Sequence, residues 1–172
     1  MQSIVETPRL IISEITYDDL RGMFELDSDE EVHKYLGNDL IKSIQESEKI
    51  IAFIRQQYLN NGIGRWAMIE KASGNFMGWT GFKFITETIN GQSGYYDLGY
   101  RMLPRYWGKG YATESAKACL KYGREILKLK PIYAMTNAEN GASKKVLIKT
   151  GFTPAGAFMH HDILHHWFII NA

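Results

Sequence analysis

Hydrophobic and polar residues follow two different periods on the two sides of Pro104. Before it, aliphatic or aromatic side chains occupy every second position, at Tyr96, Leu98, Tyr100 and Met102. After it, apolar and small residues recur at three- and four-residue steps, at Ala112, Ala116, Cys119, Leu120, Gly123, Ile126 and Leu127. The shorter period predicts a strand and the longer one an amphipathic helix. Because Pro104 disfavours further strand pairing, the segment that follows it leads into a helix N-terminus.

The segment before residue 65 is predicted to be mainly helical. A strand begins at Leu10 and runs to Ile15. Capping patterns at 16–19, 28–31 and 43–46 then indicate three helix starts, and the segment 61–64, with two glycines, ends the third helix.

The rest of the chain is predicted to be mixed. Strands are expected at 66–70, 77–85, 131–135, 152–159 and 163–170, with a helix at 142–149 that Gly151 closes. The fold class is therefore α/β in the mixed α+β sense, with a central, mostly antiparallel sheet of about seven strands and helices on both faces. One parallel strand-helix-strand crossover, expected to be right-handed, lies between residues 95 and 136.

Size and charge narrow the possible functions. The chain has 172 residues, of which 45% are hydrophobic, so we expect a single domain over residues 1–172 with one core. The formal net charge of +1 favours neither nucleic acid nor a membrane surface as partner. No run approaches the roughly 20 apolar residues that span a bilayer, and no secretory leader pattern opens the chain, so we expect a cytoplasmic protein.

The connection after Pro104 has the composition of an anion site. Gly108 and Gly110 lie beside the cations Arg105 and Lys109 at the start of the long helix. Helix N-termini carry unpaired N–H groups and partial positive charge, and glycine lets a phosphate approach the backbone closely. A flexible turn with Trp107 and neighbouring aromatic residues in packing roles is the structural alternative.

The glycine spacing excludes the two common nucleotide motifs. A P-loop would need glycine at Leu103 and serine or threonine at Gly110. A dinucleotide fingerprint would need glycine at Thr113. A different phosphate ligand therefore fits the segment better.

Residues 105–110 fit a third pattern, Arg/Gln-x-x-Gly-x-Gly/Ala. This pattern resembles the coenzyme A pyrophosphate loop of the GCN5-related N-acetyltransferases (GNAT). Other segments resemble this family in the same order: an opening strand at 7–10, Leu98-Gly99-Tyr100, and the loop and helix start at 107–114. Asn140-Gly141-Ala142-Ser143, followed by Gly151-Phe152, resembles the branch that contains the ribosomal-protein acetyltransferases RimJ and RimL.

The resemblance implies acetyl-CoA as cosubstrate, held by a strand edge, the glycine loop and the start of a later helix. Asn140 and Ser143 have helix capping as their alternative role. The implied coenzyme residues are Arg101, Met102, Leu103, Arg105, Trp107, Gly108, Lys109, Gly110, Tyr111, Ala112, Thr113, Asn140 and Ser143.

Acetyl transfer also needs an oxyanion donor, a base and an acid. The backbone N–H of Met102 or Leu103 is the candidate donor. Asp97 is the candidate base, with a salt bridge to Arg101 or plain solvation as its structural alternative. Many relatives use a tyrosine of the later helix as acid; this helix has none, so Ser143 is the candidate, with solvent as the alternative. Ile148 also departs from the branch, which usually carries glutamate there.

Two further residue types bear on the mechanism. Cys119 is the only cysteine and lies on the apolar helix face, so we expect an inert buried thiol and direct transfer without a covalent enzyme intermediate. Four histidines lie near the end of the chain, at His160, His161, His165 and His166. Their spacing is poor for metal coordination, so no bound metal ion is predicted. Acids of the early helices could attract a cationic amine, although capping also explains them; they are Asp18, Asp19, Glu25, Asp27, Asp29, Glu30 and Glu31.

The main hypothesis is an N-acetyltransferase that moves an acetyl group from acetyl-CoA to a primary amine, with a protein N-terminal α-amino group as one acceptor. A small-molecule amine is the alternative acceptor. A non-catalytic coenzyme A-binding sensor is the alternative function, and a histidine metal protein is a third. The expected assembly is a monomer or a homodimer.

Overall fold

In a computed structural model, which describes residues 3–170, eight strands form one sheet. The strands are β1 (Ser3–Glu6), β2 (Leu10–Glu14), β3 (Arg65–Glu70), β4 (Phe76–Ile85), β5 (Tyr95–Met102), β6 (Ile132–Asn137), β7 (Thr153–His160) and β8 (Ile163–Ile170). The helices are α1 (Leu20–Asp27), α2 (Glu30–His33), α3 (Ile44–Asn61), α4 (Tyr111–Glu125) and α5 (Gly141–Lys149), with 3₁₀ turns at Tyr17–Asp19 and Pro104–Tyr106.

The sheet has the order β1-β2-β3-β4-β5-β6-β8-β7, and all neighbouring strands are antiparallel except β5 and β6. The predicted mixed fold with one parallel crossover is thus confirmed. The strand beyond the predicted seven is β1, a four-residue edge strand whose side chains are exposed or half-buried. Residues 7–9, predicted to open the first strand, instead connect β1 to β2.

Helix boundaries follow the predicted patterns with three corrections, of which the first is that the Ser43 hydroxyl at the start of α3 makes no cap hydrogen bond and instead donates to the Glu46 carboxylate. Thr16 and Asp19 form the expected capping box before α1. At α2, however, the carboxylate of Asp29, not the hydroxyl of Ser28, accepts the cap hydrogen bond from Val32. Helix α4 ends at Glu125, and Ile126, assigned to its apolar face, is 64% exposed.

Both faces of the sheet are covered by helices. On one face, buried residues of α4 and α5 pack with Phe82 and Leu98 of β4 and β5. On the other face, α1 and α3 pack against β3 through Met23, Ile51 and Ala67. Cys119 lies in the first of these clusters with no exposed surface. Burial raises the pKa of its thiol to about 12, so the thiol stays protonated and inert at neutral pH, as expected.

The sheet divides between β5 and β6. These strands pair at only two positions, Tyr96 with Ile132 and Asp97 with Tyr133, and beyond Asp97 the register ends. Strand β6 then continues along β8 up to Asn137. The C-terminal half of β5 is therefore left without a strand on its β6 side.

Within residues 3–170, we find no helix that combines the length and the apolar character needed to cross a bilayer.

Candidate active site

A cavity of about 480 Å³ lies where β5 and β6 separate. Most of its walls come from the C-terminal half of β5, the end of β6, the glycine loop before α4, the start of α5, and α2 with the residues just after it, and single side chains of β3, β4 and β8 complete them. The predicted coenzyme residues that line it are Arg101, Met102, Trp107, Gly108, Ala112, Asn140 and Ser143. The others lie outside its lining, beside these along the chain: Leu103, Arg105, Lys109, Gly110, Tyr111 and Thr113.

The glycine loop has the backbone that its sequence predicts. Gly108 and Gly110 have φ angles of 72° and 82°, and Gly110 is the N-cap of α4. These left-handed conformations suit glycine, which lacks the Cβ that would clash. A Cβ on Gly108 would meet no heavy atom within 4 Å, so the space above this residue is open. The loop therefore presents bare backbone at a helix N-terminus, which favours an anion.

The β5 backbone corrects part of the predicted coenzyme contact. The Leu103 N–H donates to the Met77 carbonyl at 2.9 Å, and the Arg101 carbonyl lies against Gly78, so both groups point to β4. Alternate residues of a strand direct their amides to opposite sides. Met102 therefore faces the open side, as does Tyr100. The roles proposed for the backbones of Arg101 and Leu103, oxyanion donation by Leu103 included, do not agree with this geometry.

Trp107 is more than a packing residue. Its indole Nε1–H donates to the Met102 carbonyl at 2.8 Å, and the residue, which lines the cavity, is 43% exposed. The Met102 carbonyl is thereby occupied, which leaves the Met102 N–H as the candidate oxyanion donor. Tyr111, in contrast, has a packing role, because its hydroxyl donates to Glu70 on β3 at 2.7 Å.

Arg105, predicted to contact the pyrophosphate, is engaged elsewhere. Its guanidinium forms two hydrogen bonds to the carboxylate of Glu25 on α1, at 2.5 and 3.0 Å. Both side chains are about half-exposed, so this ion pair lies at the surface. The structure therefore directs Arg105 toward α1 and not into the cavity.

Ser143 is held by a tyrosine that sequence analysis missed. The Tyr100 hydroxyl lies 3.0 Å from both the Ser143 carbonyl, to which it donates, and the Ser143 Oγ. Burial raises the pKa of Tyr100, so its hydroxyl keeps its proton. The Asn140 Oδ1 accepts from the Ser143 N–H at 3.1 Å, so Asn140 does cap α5. The alternation of β5 places Tyr100 on the α5 face, and this was the signal that could have identified it.

Asp97 pairs with Arg65 of β3 and not with Arg101. The Arg65 Nη2 to Asp97 Oδ2 distance is 2.5 Å, and each side chain is 13% exposed. Arg65 also donates to the backbone carbonyls of Gly81 and Asp97. Burial raises the pKa of Asp97, and the Arg65 charge opposes that rise. Asp97 lines the cavity on the face of the sheet that carries α1.

Arg101 is on this same face and pairs with the buried Asp27 of α1 at 2.5 Å. The guanidinium groups of Arg65 and Arg101 each lie 5.0 Å from the ring of Trp79. Both arginines that line the cavity are therefore paired, Arg65 with Asp97 in the cavity wall and Arg101 with the buried Asp27 behind it.

Most acids of the early helices do not face the cavity. Asp19 and Asp29 act as helix caps, and Glu25 and Asp27 pair with arginines. Among these acids only Glu31 lines the cavity, at its α2 side. It is exposed, so it can meet a cation that approaches from solvent.

The histidines cluster around the β7–β8 hairpin. The ring centroids of His160 and His161 are 4.2 Å apart, and those of His160 and His165 are 5.9 Å apart. In residues 3–170 no group of three or more His, Cys, Asp or Glu side chains is arranged to hold a metal ion. His165 alone of the four lines the cavity.

Comparison with known proteins identifies a family for this geometry. Residues 9–153 match the family model described as "Acetyltransferase (GNAT) domain". The chain is 29% identical over 161 residues to the uncharacterized N-acetyltransferase YoaA of Bacillus subtilis, covering 94% of this chain and 89% of YoaA. A GNAT-family acetyltransferase from Bacillus anthracis, solved by crystallography, is 26% identical with a TM-score of 0.79 and 96% of both chains covered. A spermidine N-acetyltransferase from Vibrio cholerae, solved with CoA and spermine, shares the fold at 19% identity, with a TM-score of 0.75 over 95% of this chain and 96% of that one.

Proposed function

We propose that the acceptor of this enzyme is a protein N-terminal α-amino group. The premise is that the chain belongs to the GNAT acetyltransferase family and is an acetyl-CoA-dependent acyltransferase. The observation that carries the choice of acceptor is the charge matching of the cavity, in which Asp97 pairs with Arg65 and Glu31 lines the α2 side. The division of the sheet between β5 and β6 supplies the place where donor and acceptor meet. The cavity at this division has the glycine loop on one side and α2 on the other, so donor and acceptor have separate approaches to it.

The donor side suits the pantetheine arm of the coenzyme. Amides of the arm can pair with the open side of β5 at Tyr100, as an added strand would, which leaves the Met102 N–H for the thioester oxygen. The pyrophosphate would lie over Gly108 at the start of α4, where the backbone is uncovered. The Asn140 Oδ1 is used by the helix cap, so its amide NH₂ is the group available to the coenzyme.

The acceptor side suits an amine with one positive charge. Asp97 and Asp27 are each matched by an arginine, and Glu31 is the acid of the early helices that lines the cavity. A polyamine carries several charges that need several unmatched carboxylates. A single α-amino group needs one carboxylate at the entrance. The charges therefore favour a peptide N-terminus, which also agrees with the resemblance to the RimJ/RimL branch.

The residues around the cavity can then carry out direct transfer. The charged amine loses a proton to Asp97, directly or through water, its nitrogen forms a bond to the thioester carbon, and the nitrogen then loses a second proton to solvent. The Met102 N–H stabilises the charge that develops on the carbonyl oxygen. The carbon–sulfur bond breaks, Ser143 donates its hydroxyl proton to the departing sulfur, and solvent restores that proton. Before this step the Tyr100 oxygen accepts from the Ser143 hydroxyl and holds it in position, because the Tyr100 proton is donated to the Ser143 carbonyl.

The test is acceptor profiling of the purified protein with acetyl-CoA. Free thiol release and mass spectrometry are measured with peptides that have free N-termini, the same peptides blocked at the N-terminus, spermidine and an aminoglycoside. We expect acetylation of the free N-termini and no acetylation of the blocked peptides. Faster acetylation of spermidine would identify a small-molecule enzyme instead. Coenzyme binding without thiol release from any acceptor would identify a coenzyme A sensor.

Asp97→Asn tests the proposed base. We expect unchanged acetyl-CoA binding by calorimetry and a loss of turnover of about 100-fold, since a positioned base typically contributes that much or more. Asp162→Asn is the matched control, because Asp162 lies at the exposed β7–β8 turn with a positive φ that asparagine tolerates. Equal turnover in the two variants would exclude Asp97 as the base.

A further inference from the structure

Arg9, in the turn between β1 and β2, contacts the coenzyme loop although it does not line the cavity. Its Nη1 donates to the Lys109 carbonyl at 2.9 Å, and its guanidinium lies 4.2 Å from the centre of the Tyr111 ring. The Lys109–Gly110 peptide is planar, so a carbonyl directed at Arg9 turns the Gly110 N–H away from Arg9. Arg9 thus fixes the orientation of a peptide inside the glycine loop.

The same arginine pairs with an acid in the first turn of α4. The Glu114 Oε2 accepts from the Arg9 Nε at 2.7 Å and lies 2.6 Å from its Nη2. The other oxygen, Oε1, accepts from the Thr7 hydroxyl at 2.6 Å and from the Arg9 backbone N–H at 3.2 Å. Both carboxylate oxygens are therefore bound by the turn 7–9, about 105 residues away in sequence. This contact joins two segments that the sequence shares with the family, the opening segment and the start of the long helix.

The charge of Glu114 matters because of where it lies. A carboxylate in the first helical turn stabilises the helix by about 0.3–1 kcal/mol. It also repels any other anion that binds the same N-terminus, a diphosphate included. Arg9 supplies the opposite charge within 3 Å, which leaves the helix end attractive to an anion. The Arg9 side chain is 44% exposed, so its ion pair with Glu114 adds little to stability.

We propose that Arg9 is a positioning residue for acetyl-CoA, which orients the Gly108–Gly110 loop and neutralises Glu114 so that the coenzyme diphosphate can bind. This inference rests on the proposed function, in which that loop holds the coenzyme. Arg9 acts on the affinity for the coenzyme through the loop and takes no part in proton transfer. Its loss should therefore change the KM for acetyl-CoA and leave kcat nearly unchanged.

Calorimetric titration of acetyl-CoA and steady-state kinetics test the inference on four variants of the full chain. For Arg9→Gln we expect the Kd and KM for acetyl-CoA to rise about tenfold, with kcat changed less than twofold. Glu114→Gln should leave the Kd unchanged or lower it, because it removes a repelling charge and keeps Arg9. The double variant Arg9→Gln with Glu114→Gln should bind more tightly than Arg9→Gln alone. Arg9→Lys should recover part of the affinity, since lysine keeps the charge without the planar fork.

Lys71→Gln is the matched control. Lys71 is an exposed cation paired with Glu6 at 2.9 Å, and its backbone N–H donates to the Arg9 carbonyl of the same turn. It should bind acetyl-CoA as the wild type does. Three results would overturn the inference: wild-type affinity in Arg9→Gln, equal losses in Arg9→Gln and Glu114→Gln, or an equal loss in Lys71→Gln. If the wild-type protein itself bound no acetyl-CoA, the proposed function would fail first, so the two failures are distinguishable.

Discussion

At the scale of single residues, the polar groups of the cavity depend on partners from distant parts of the chain. Asp97 is matched by Arg65 and Arg101 by Asp27, so the charges alternate across the α1 face of the cavity. Ser143 has its hydroxyl beside Tyr100. Each partner helps to fix the direction in which its side chain can act.

The Tyr100–Ser143 contact is testable as a coupling energy. We expect Tyr100→Phe and Ser143→Ala each to lower the free energy of unfolding by about 1 kcal/mol, the usual net value of a buried hydrogen bond. The double variant should lose less than the sum of the two, because the second substitution removes a group whose partner is already gone. Urea unfolding of the four proteins measures this. Strictly additive losses would contradict a direct contact between the two hydroxyls.

At the scale of elements, the strand-loop-helix unit β5–α4 contains most of the candidate coenzyme site. Strand β5 ends at Met102, the 3₁₀ turn follows at Pro104–Tyr106, and Gly110 caps α4. Trp107, which follows this turn, donates a hydrogen bond back to Met102, the last residue of β5. The loop is therefore held at its strand end by Trp107 and at its helix end by Arg9.

Alanine variants at two glycines distinguish the backbone cost of the loop from its role in coenzyme binding. Gly108 and Gly91 have φ angles of 72° and 73°, and a Cβ on either would meet no heavy atom within 4 Å. Alanine at either position should therefore cost a similar amount of stability, about 1 kcal/mol, for the left-handed backbone. Only Gly108→Ala should weaken acetyl-CoA binding, because Gly91 lies in the β4–β5 connection away from the cavity. Urea unfolding and calorimetry check both expectations, and equal coenzyme affinity in the two variants would exclude the loop as the diphosphate site.

At the scale of the whole molecule, helices α1 and α2 are attached to the sheet partly through a buried charged cluster. Asp27 accepts from Arg101, and the His33 Nε2 lies 3.7 Å from Asp27. His33 is 6% exposed, and its ring nitrogens have no hydrogen-bond partner among residues 3–170. Burial, together with the Arg101 charge, lowers the pKa of His33. The native state therefore holds His33 neutral in conditions where the unfolded chain already binds a proton.

This predicts the pH dependence of stability. The contribution of His33 is complete above its unfolded pKa, near 6.5, and it is lost as the pH falls through that value toward the lower folded pKa. We expect the free energy of unfolding to fall over this interval by up to about 1.4 kcal/mol per pH unit. In His33→Gln the fall should be smaller. Urea unfolding at pH 7.5, 6.5 and 5.5 measures the slope, with His166→Gln on β8 as control. An unchanged slope in His33→Gln would contradict this origin.

Local patterns determined the order and type of nearly every element. Alternation identified β5, the three- and four-residue period identified α4, and glycines with positive φ were placed correctly at the ends of helices and in the loop. These features depend on neighbours within a few residues, which the sequence contains directly. The short edge strand β1 was missed, because its pairing with β2 and not its own composition makes it a strand.

The sequence by itself thus determined the fold class, the glycine loop at a helix N-terminus and the resemblance to the GNAT family. Only the tertiary structure decided which groups are free to act: it paired Asp97 with Arg65, directed Arg105 to Glu25, turned the Leu103 N–H to β4 and brought Tyr100 to Ser143. The physical reason is distance along the chain. The side-chain partners are 32 to 80 residues apart, and burial and electrostatic matching between such groups arise only when the sheet brings them together.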